Sequence, residues 1–296
     1  GTMEQKRRWK PWLYCVPAML LILIVIVFPI AYTGWISLTN MNLYHWTDYE
    51  VIGLSNYARA LFKFDSGFLS ALGTTLVWTA LNMVIQIGLG FLIALGLNAP
   101  GLRLKRVYKT LLMVPWAVPA YISILLWRVG MFNTEFGILN KLLVLLGFGK
   151  VDFLASNGIA FLSCMVLNLW MALPFMISTI DGALQSVDSS LYESATLDGA
   201  GFWTRTRSIT VPTIRPIIAP AAVMTTFITF KQFDIIYLLT QQRGYMTGAT
   251  LNTVITYAHQ NAFASNNYGL SSAVSMLLFV IIILFSILTN RSLRED

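Results

Sequence analysis

Six long apolar runs, separated by polar stretches, set the pattern of this chain. Each run is long enough to cross a hydrocarbon core of about 30 Å as a helix. A lone segment in lipid must satisfy its backbone hydrogen bonds internally, so we predict an all-α polytopic membrane protein with six transmembrane helices. The predicted spans are about Trp12–Leu38, Leu72–Leu97, Leu111–Val129, Ile159–Ile180, Ile214–Leu239 and Ser272–Leu288.

Lysine and arginine predict how these spans are oriented. Thirteen of the twenty basic residues lie in the two tails and in alternate loops, against five in the loops of the other side. Because positive charge favours the cytoplasmic side, both termini and the loop 182–212 are predicted to be cytoplasmic. The predicted organisation is a tail at 1–10, a transmembrane domain at 11–290 and a tail at 291–296.

The start of the chain resembles a targeting segment. Gly1 and Thr2 precede Met3 and are interpreted as a cloning remnant. The first apolar run follows a cluster of basic residues, as in a signal peptide, but it is too long and no small-residue cleavage site follows it. We therefore predict an uncleaved first helix.

Composition supports a membrane protein and argues against a nucleic-acid partner. Hydrophobic residues make up 56% of the chain and charged residues only 11%, against about 25% charged in ordinary soluble domains. The net charge of +7 would suit nucleic acid, but the basic residues cluster at the ends of apolar runs, where topology explains them. Cys15 and Cys164 lie in separate apolar runs and are predicted to be neither a disulfide nor a metal pair.

Two short segments on the predicted external side have apolar residues at helical spacing. They are Asn56–Phe62 and Gly137–Leu143. Such segments form helices that lie at the membrane interface. They either cap the bundle or provide a platform for an external partner, and the sequence favours neither.

A polar stretch between the fourth and fifth runs carries the most specific pattern. Ser189 or Ser190 can cap a short helix whose first turns contain Glu193, where the helix dipole favours an acid. Gly199 and Gly201 permit a sharp change of direction, and a proline marks the return to the next span. The stretch predicts a rigid knob suited to a socket on another protein. Its motif residues are Glu193-Ser194-Ala195, Asp198-Gly199-Ala200, Ile209–Pro212 and Pro216.

This motif, E-[SA]-A-x2-D-G-A followed by I-x-[LV]-P-x3-P, resembles the EAA loop of binding-protein-dependent ABC importer permeases. Ser194 stands where that family usually has alanine. Other segments resemble its carbohydrate, maltose-permease-like branch, namely Gly53–Tyr57, Phe132–Asn140 and Phe233–Thr240. The resemblance implies a coupling helix that docks on an ATPase through Glu193, Ser194, Ala195, Asp198, Gly199, Ala200 and Pro212.

The resemblance also implies partners and a mechanism. Such a chain pairs with a second homologous permease in the bacterial cytoplasmic membrane, two ATPase subunits bind beneath the pair, and an extracytoplasmic binding protein delivers sugar. Closure of the ATPases rocks the permeases from inward-facing to outward-facing. No G-x4-G-K-[ST] phosphate loop occurs in the sequence. ATP and magnesium are therefore expected on the partner ATPase, and this chain is expected to be neither an enzyme nor a cofactor carrier.

Polar groups inside spans are costly and are candidate substrate contacts. In the fourth span, Asn168, Met171, Ala172 and Phe175 share one helical face, with Trp170 among them. Spacing alone fits a helix–helix seam equally well. The similar N-x-W-x3-P-[FY] stretch of maltose-type permeases contributes sugar contacts, and this favours a role in the substrate path.

In the fifth span, the candidates are Thr229, Lys231 and Gln232. Lys231 lies roughly 25 Å along a helix from Ile214, in the outer half of the bilayer. It either pairs with Asp234 or snorkels outward, or it faces the cavity, where it would suit an acidic sugar such as a uronate oligomer. Tryptophans near predicted span ends are interpreted as interfacial anchors, and they are Trp35, Trp46, Trp116 and Trp127.

Two other functional classes compete with the importer. A channel or secondary transporter that needs no ATPase would show repeated halves and ion-coupling residues, and neither is clear in this sequence. An intramembrane enzyme would need a nucleophile–base or metal-ligand constellation. The only two histidines, His45 and His259, lie in or near external loops. The leading hypothesis is the permease subunit of an ATP-driven importer of an oligosaccharide, neutral or acidic.

Overall fold

A computed structural model of the protein describes residues 2–63, 67–241 and 251–295. The described residues are mainly helical, and their only β-type pairing is an isolated bridge between Thr39 and Val51. The α-helices are α1 Thr2–Ile22, α2 Phe28–Ile36, α3 Ser55–Phe62, α4 Phe68–Leu97, α5 Lys105–Ala117, α6 Ala120–Leu126, α7 Ile138–Leu145, α8 Asn157–Leu184, α9 Ser189–Leu197, α10 Phe202–Arg205, α11 Val211–Phe230, α12 Asp234–Ile236, α13 Val254–Phe263 and α14 Tyr268–Glu295. Short π-helical stretches lie at Leu23–Val27, Trp127–Met131, Thr206–Thr210 and Tyr237–Gln241.

The predicted all-α membrane fold is confirmed. Among the described residues, five helical segments are long and apolar enough to cross a membrane, and a bent pair of helices makes a sixth if it counts as one span. The five segments are Trp9–Ile36, Phe68–Leu97, Asn157–Leu184, Phe202–Thr240 and Tyr268–Arg291. The predicted short helices outside the spans are also present, as α3 and α7.

The third predicted span differs from a straight helix. α5 and the helix that begins at Ala120 meet at a bend of 94°. Val118, at the bend, is extended with φ −82° and ψ 132°. Pro119 explains this, because a proline has no backbone N–H and disfavours the helical conformation of the residue before it. The predicted third span is therefore present only as this bent pair of helices.

The fifth span begins earlier than predicted and is interrupted. Helical backbone runs from Phe202 through a π-helical stretch into α11, so the helix starts well before the predicted Ile214. Pro212 lies in the first turn of α11, directly after that stretch, and its missing N–H fits the irregular bonding there. The helix then ends at Phe230 and resumes at Asp234, which leaves a break in the predicted span.

The chain divides into two compact units, one of residues 1–70 and 257–283 and the other of residues 71–256 and 284–296. In the first unit, Asn56 on α3 is buried and donates through Nδ2 to the carbonyl oxygens of Ser37 at 3.0 Å and Thr39 at 2.7 Å. These bonds fix α3 to the segment that comes after the first span.

The second unit is built around α8, on which α5 and α11 pack most extensively. Two groups of buried apolar side chains form its core. The first contains Trp78, Ile124, Phe132, Leu154, Ala160, Cys164, Leu167, Ile235, Ile236, Leu238, Leu239 and Leu251. The second contains Met83, Ala94, Met176, Ile180, Ala183 and Ile214. Cys164 is buried in this core and Cys15 is exposed on α1, and both are free thiols.

Of the described glycines in the first unit, Gly269 has the closest backbone atom to an added β-carbon. A β-carbon built there lies 2.3 Å from the Thr39 carbonyl oxygen, which is backbone and cannot move aside cheaply. We expect Gly269→Ala to destabilise the protein by about 1–3 kcal/mol, the usual cost of overpacking. The apparent melting temperature of the purified protein in detergent measures this. Gly73→Ala is the control, because nothing lies within 4 Å of its added carbon, and an equal effect of both substitutions would contradict the prediction.

Candidate functional site

The loop between the fourth and fifth spans forms a short helix, α9, as the sequence predicted. Its N-cap is Asp188, whose carboxylate accepts the backbone N–H of Ser190 at 2.9 Å. Ser189 and Ser190 are inside the helix, so the prediction that one of them is the cap was wrong by one or two residues. This hydrogen bond holds the pKa of Asp188 below its usual value.

The knob ends in a tight turn at Gly199. Its φ of +78° lies in the left-handed region that favours glycine. The turn is closed by backbone bonds, including Ala200 N–H to the Ala195 carbonyl at 2.9 Å. Gly201, at φ −69°, has an ordinary conformation and only precedes α10. The reversal of the chain therefore depends on the first of the two predicted glycines.

Side-chain bonds tie α9 to the next helical segment. The hydroxyl of Tyr192 lies 2.7 Å from the Oγ1 of the buried Thr210. Arg205 donates through Nη1 to the Oγ1 of Thr196 at 2.9 Å. These two bonds hold the short helix in a fixed orientation.

The predicted coupling residues are mostly at the surface of this knob. Glu193, Ser194, Asp198 and Gly199 are exposed, and Ala195 and Ala200 are half-buried. Leu197, next to them, is 90% exposed, although leucine is ordinarily buried. Pro212 is also exposed but lies in α11, outside the knob. The exposed acidic and apolar groups give the knob a surface that another protein could contact.

Asn168 lies in a seam between α4 and α8. It is buried, and its Nδ2 donates to the Oδ1 of Asn82 at 2.8 Å. Asn82 belongs to a buried polar stripe on α4 with Thr75, Thr79 and Gln86. This stripe was not predicted, although its spacing on one face of a helix could have indicated it. For Asn168, the structure therefore shows a helix–helix seam, which is one of the two alternatives that its spacing allowed.

The rest of the α8 cluster is more accessible. Trp170, Met171 and Ala172 are half-buried, and the ring of Trp170 lies 5.5 Å from that of Trp127. Phe175 is 37% exposed and stacks on Trp116, with ring centroids 6.5 Å apart and an angle of 20° between the planes.

Trp116 is a candidate site residue, whereas the sequence predicted an interfacial anchor. It lies in the last turns of α5, roughly 16 Å along the helix from Lys105 and next to the bend. Its side chain is 57% exposed. Irregular backbone inside a membrane occurs where it is covered by protein or lines a cavity. The bend and the aromatic pair of Trp116 and Phe175 lie together, and both indicate a candidate substrate path there.

Lys231 is exposed and is not paired with Asp234. The Asp234 carboxylate instead accepts a bond from the side-chain amide of Gln232 and the backbone N–H of Ile235 at 3.0 Å. The predicted i, i+3 pair needs a continuous helix, and the helix is broken here. Thr229, just before the break, is buried in α11.

An ion pair between a buried aspartate and a half-buried lysine lies at the other end of α8. The Asp181 side chain is 9% exposed and binds the ammonium of Lys109 on α5. Its carboxylate also accepts the amide of Asn98 at 2.7 Å and that of Gln185 at 3.1 Å. Lys105 donates to the Oδ1 of Asn98 at 2.6 Å. From the sequence, both lysines indicated only the topology. The aspartate at the end of an apolar run could have indicated this cluster.

A family comparison identifies the architecture around this loop. The sequence pattern that defines the "Binding-protein-dependent transport system inner membrane component" family matches residues 86–294. This chain belongs to that family. The matched part contains the bend of the third span, all of α8 and the α9 knob.

Two relatives of this permease match nearly all of the chain. The galactooligosaccharides transport system permease protein GanP of Bacillus subtilis is 30% identical, over 97% of this chain and 71% of GanP. The trehalose/maltose transport system permease protein MalF of Thermococcus litoralis is 31% identical, over 93% of this chain and 90% of MalF. The predicted membership of the carbohydrate, maltose-permease-like branch is confirmed by these relatives.

A solved structure supports the fold of the permease. A chain from the crystal structure of a bacterial ABC transporter involved in the import of the acidic polysaccharide alginate superposes with a TM-score of 0.82. The alignment covers 99% of this chain and 97% of that chain at 23% identity. At this identity the likeness speaks for the fold alone.

The cap of α9 generates a prediction about pH. A carboxyl whose pKa is lowered by folding stabilises the fold above its unfolded pKa of about 3.9, and that contribution is lost as pH falls through the lowered value. We therefore expect the amides of α9 to keep constant protection between about pH 5 and 8, after correction for intrinsic exchange. Hydrogen exchange of the permease in detergent measures this.

Substitution of Asp188 separates the cap from the charge. Asp188→Ala removes the acceptor and should speed exchange in the first turn of α9, whereas Asp188→Asn keeps an acceptor and should exchange as the wild type does. Equal exchange in the alanine and asparagine variants would contradict the assigned cap.

Proposed function

We propose that this permease is the transmembrane subunit of an ATP-driven importer that moves an oligosaccharide across the bacterial cytoplasmic membrane by alternating access. The observation that carries the proposal is the α9 knob. It is a capped helix, braced by Tyr192 and Arg205, that presents Glu193 at the surface between two spans. A rigid surface helix in that place is suited to receive movement from a separate ATPase.

The proposed assembly contains a second homologous permease, two ATPase subunits and an extracytoplasmic sugar-binding protein. One neighbouring structure is a bacterial alginate ABC transporter in complex with an alginate pentasaccharide-bound periplasmic protein, which supports a binding protein as donor. ATP and magnesium would be held by the ATPase, because the sequence has no phosphate loop of its own. This chain would hydrolyse nothing and hold no cofactor.

The proposed topology places α9 on the cytoplasmic side with both tails. The distribution of lysine and arginine supports this orientation. In this topology the tails at 1–10 and 291–296 and the coupling loop 182–212 are cytoplasmic. The transmembrane domain at 11–290 contains that loop. Residues 1 and 296 of those tails lie outside the described part of the chain.

The proposed sugar path runs along the aromatic pair of Trp116 and Phe175. Aromatic faces stack on sugar rings, and the last carbonyls of α5, freed from helix bonding by the bend, can accept bonds from hydroxyl groups. Met171 and Ala172 lie about one turn from Phe175 on α8 and complete the surface. GanP and MalF are named for galactooligosaccharide and for trehalose and maltose transport, which supports a neutral oligosaccharide as the cargo.

An acidic oligosaccharide is a second candidate cargo, and Lys231 favours it. The lysine is exposed at a helix break within the fifth span, and the carboxylate nearest in sequence is bonded to Gln232 instead. An ammonium in that position could bind the carboxylate of a uronate.

Co-purification tests the proposal as a whole. The tagged chain is expressed with its neighbouring open reading frames, and ATP hydrolysis is measured with and without binding protein and candidate oligosaccharides. Recovery of a second permease and an ATPase, with hydrolysis stimulated only by binding protein and one sugar, would support it. Glu193→Arg should abolish that stimulation while the protein still inserts. A chain recovered alone and active in transport would favour a channel or secondary transporter.

The turn at Gly199 gives a sharper prediction for docking. A leucine in the left-handed region costs about 1–2 kcal/mol, so Gly199→Leu should distort the knob and lower the amount of ATPase that co-purifies. Gly201→Ala is the matched control, since its φ of −69° suits any residue. The same ATPase yield from both variants would argue against docking through this turn.

Uptake into proteoliposomes tests the sugar path. Trp116→Ala removes one ring of the pair and should raise the KM for every transported oligosaccharide by roughly two- to tenfold, the range of one aromatic contact. Trp35→Ala, which removes another exposed indole from the span at Trp9–Ile36, is the control. A KM unchanged by Trp116→Ala would exclude the aromatic pair from the sugar path.

Lys231→Gln should raise the KM only for an acidic oligosaccharide. If the KM for a transported uronate is unchanged by Lys231→Gln, the lysine is excluded from the sugar path.

A further inference from the structure

The ion pair of Lys109 and Asp181 belongs neither to the α9 knob nor to the aromatic pair. The Lys109 side chain is 32% exposed, and ion pairs in contact with water stabilise a fold little, while replacing a buried pair by apolar side chains is often neutral or stabilising. Stability therefore does not explain why the pair is present. Several groups from different helices nevertheless meet at the Asp181 carboxylate, with Asn98 next to the end of α4 and Gln185 next to the end of α8.

The ion pair lies between the knob and the aromatic pair. On α5, Lys109 precedes Trp116 by two turns, roughly 10 Å, and the two share one face of the helix. On α8, Asp181 lies between Phe175 and the end of the helix at Leu184. The ion pair therefore joins the same two helices that carry the aromatic pair, at the end nearer to α9.

The connection from Asp181 to α9 has little slack. Only residues 185–188 separate α8 from α9. Ser186 donates from its backbone to the carbonyl of Ala183 at 3.1 Å and from its hydroxyl to the same oxygen at 2.6 Å. Gln185 bonds to Asp181 through both its backbone N–H and its side chain. The start of this turn is therefore bonded to the end of α8, and only four residues connect that helix to α9.

The connection from Lys109 to the sugar path ends at a hinge. α5 stops at the bend of 94°, one residue after Trp116. A cavity of about 40 Å³ lies beside the ion pair, lined among others by Leu112, Pro174 and Ser178. Lys109 and Asp181 line it as well, so the packing of α5 against α8 is incomplete beside the pair. The ion pair holds one end of the two helices, and the bend lies at the opposite end of α5.

We propose that Lys109 and Asp181 are positioning residues that carry the movement of the α9 knob to the Trp116–Phe175 pair during transport. The ion pair acts as a strut between α8 and α5 and touches neither ATP nor sugar. This proposal rests on the proposed function, because it requires an ATPase that moves α9. Removal of the strut uncouples hydrolysis from transport and leaves both partners able to bind.

The test measures sugar uptake and ATP hydrolysis in the same proteoliposomes, with the whole assembly and its binding protein. Asp181→Asn should lower the sugar transported per ATP hydrolysed by about tenfold, within the usual range of coupling between sites. Stimulation of hydrolysis by binding protein and sugar should persist. Loss of uptake and of hydrolysis in equal proportion would indicate a structural role only and overturn the proposal.

A double variant covers the case in which the single variant fails to assemble. Lys109→Met with Asp181→Leu removes both charges, so no unpaired charge stays buried. Asn98 keeps its bonds to the Ala94 carbonyl and to Lys105. We expect normal assembly and melting temperature with the same loss of transport per ATP. Wild-type transport per ATP in this variant would overturn the proposal.

The failure of this proposal is distinguishable from failure of the proposed function. If the wild-type assembly shows no sugar-stimulated hydrolysis at all, the importer itself is refuted. If the wild type is coupled and the double variant is equally coupled, only the strut is refuted. Lys109→Arg is a further control, because it keeps the charge and should retain most of the coupling.

Discussion

The need to bond every backbone N–H and C=O inside a membrane is the constraint on which this structure depends. Hydrocarbon offers no water to replace a lost bond, so regular helix is the default and every departure needs a protein-lined setting. The described spans depart from regular helix at a small number of places. The bend at Val118–Pro119 and the break after Phe230 lie beside the residues that the chemistry of a sugar path would use. These two departures from regular helix therefore lie where the proposed sugar path runs.

Much of the fold could be predicted from the sequence because lipid imposes a strong pattern. Runs of apolar residues predicted the six spans, and helical spacing predicted α3 and α7. The knob could also be predicted, because Gly199 permits a sharp turn and the helix dipole favours an acid in the first turns of the helix. Its N-cap was misplaced onto a serine because Asp188, Ser189 and Ser190 are all good caps, and only the observed backbone decides between them.

The substrate path was harder to predict, because it depends on which helices pack together. Asn168 bonds to Asn82, a partner far away in sequence, so its spacing on α8 could not show that it is buried. Trp116 was interpreted as an anchor from its place near a span end, and its stacking on Phe175 depends on how α5 packs on α8. Lys231 and Asp234 have the right spacing for an ion pair, yet a break between them cancels the helical geometry. Local patterns fail where a helix is interrupted.

The short, bonded turn between α8 and α9 limits how this protein can vary. One residue inserted at a helix end rotates the next segment by about 100° and advances it by about 1.5 Å. Such an insertion within 185–188 would move Tyr192 to the exposed place of Glu193 and break its bond to Thr210. Changes of residue type on α9 can be accommodated one at a time, but a change of length cannot. Related chains should therefore differ in the sequence of this loop far more than in the number of residues from Asp181 to Gly199.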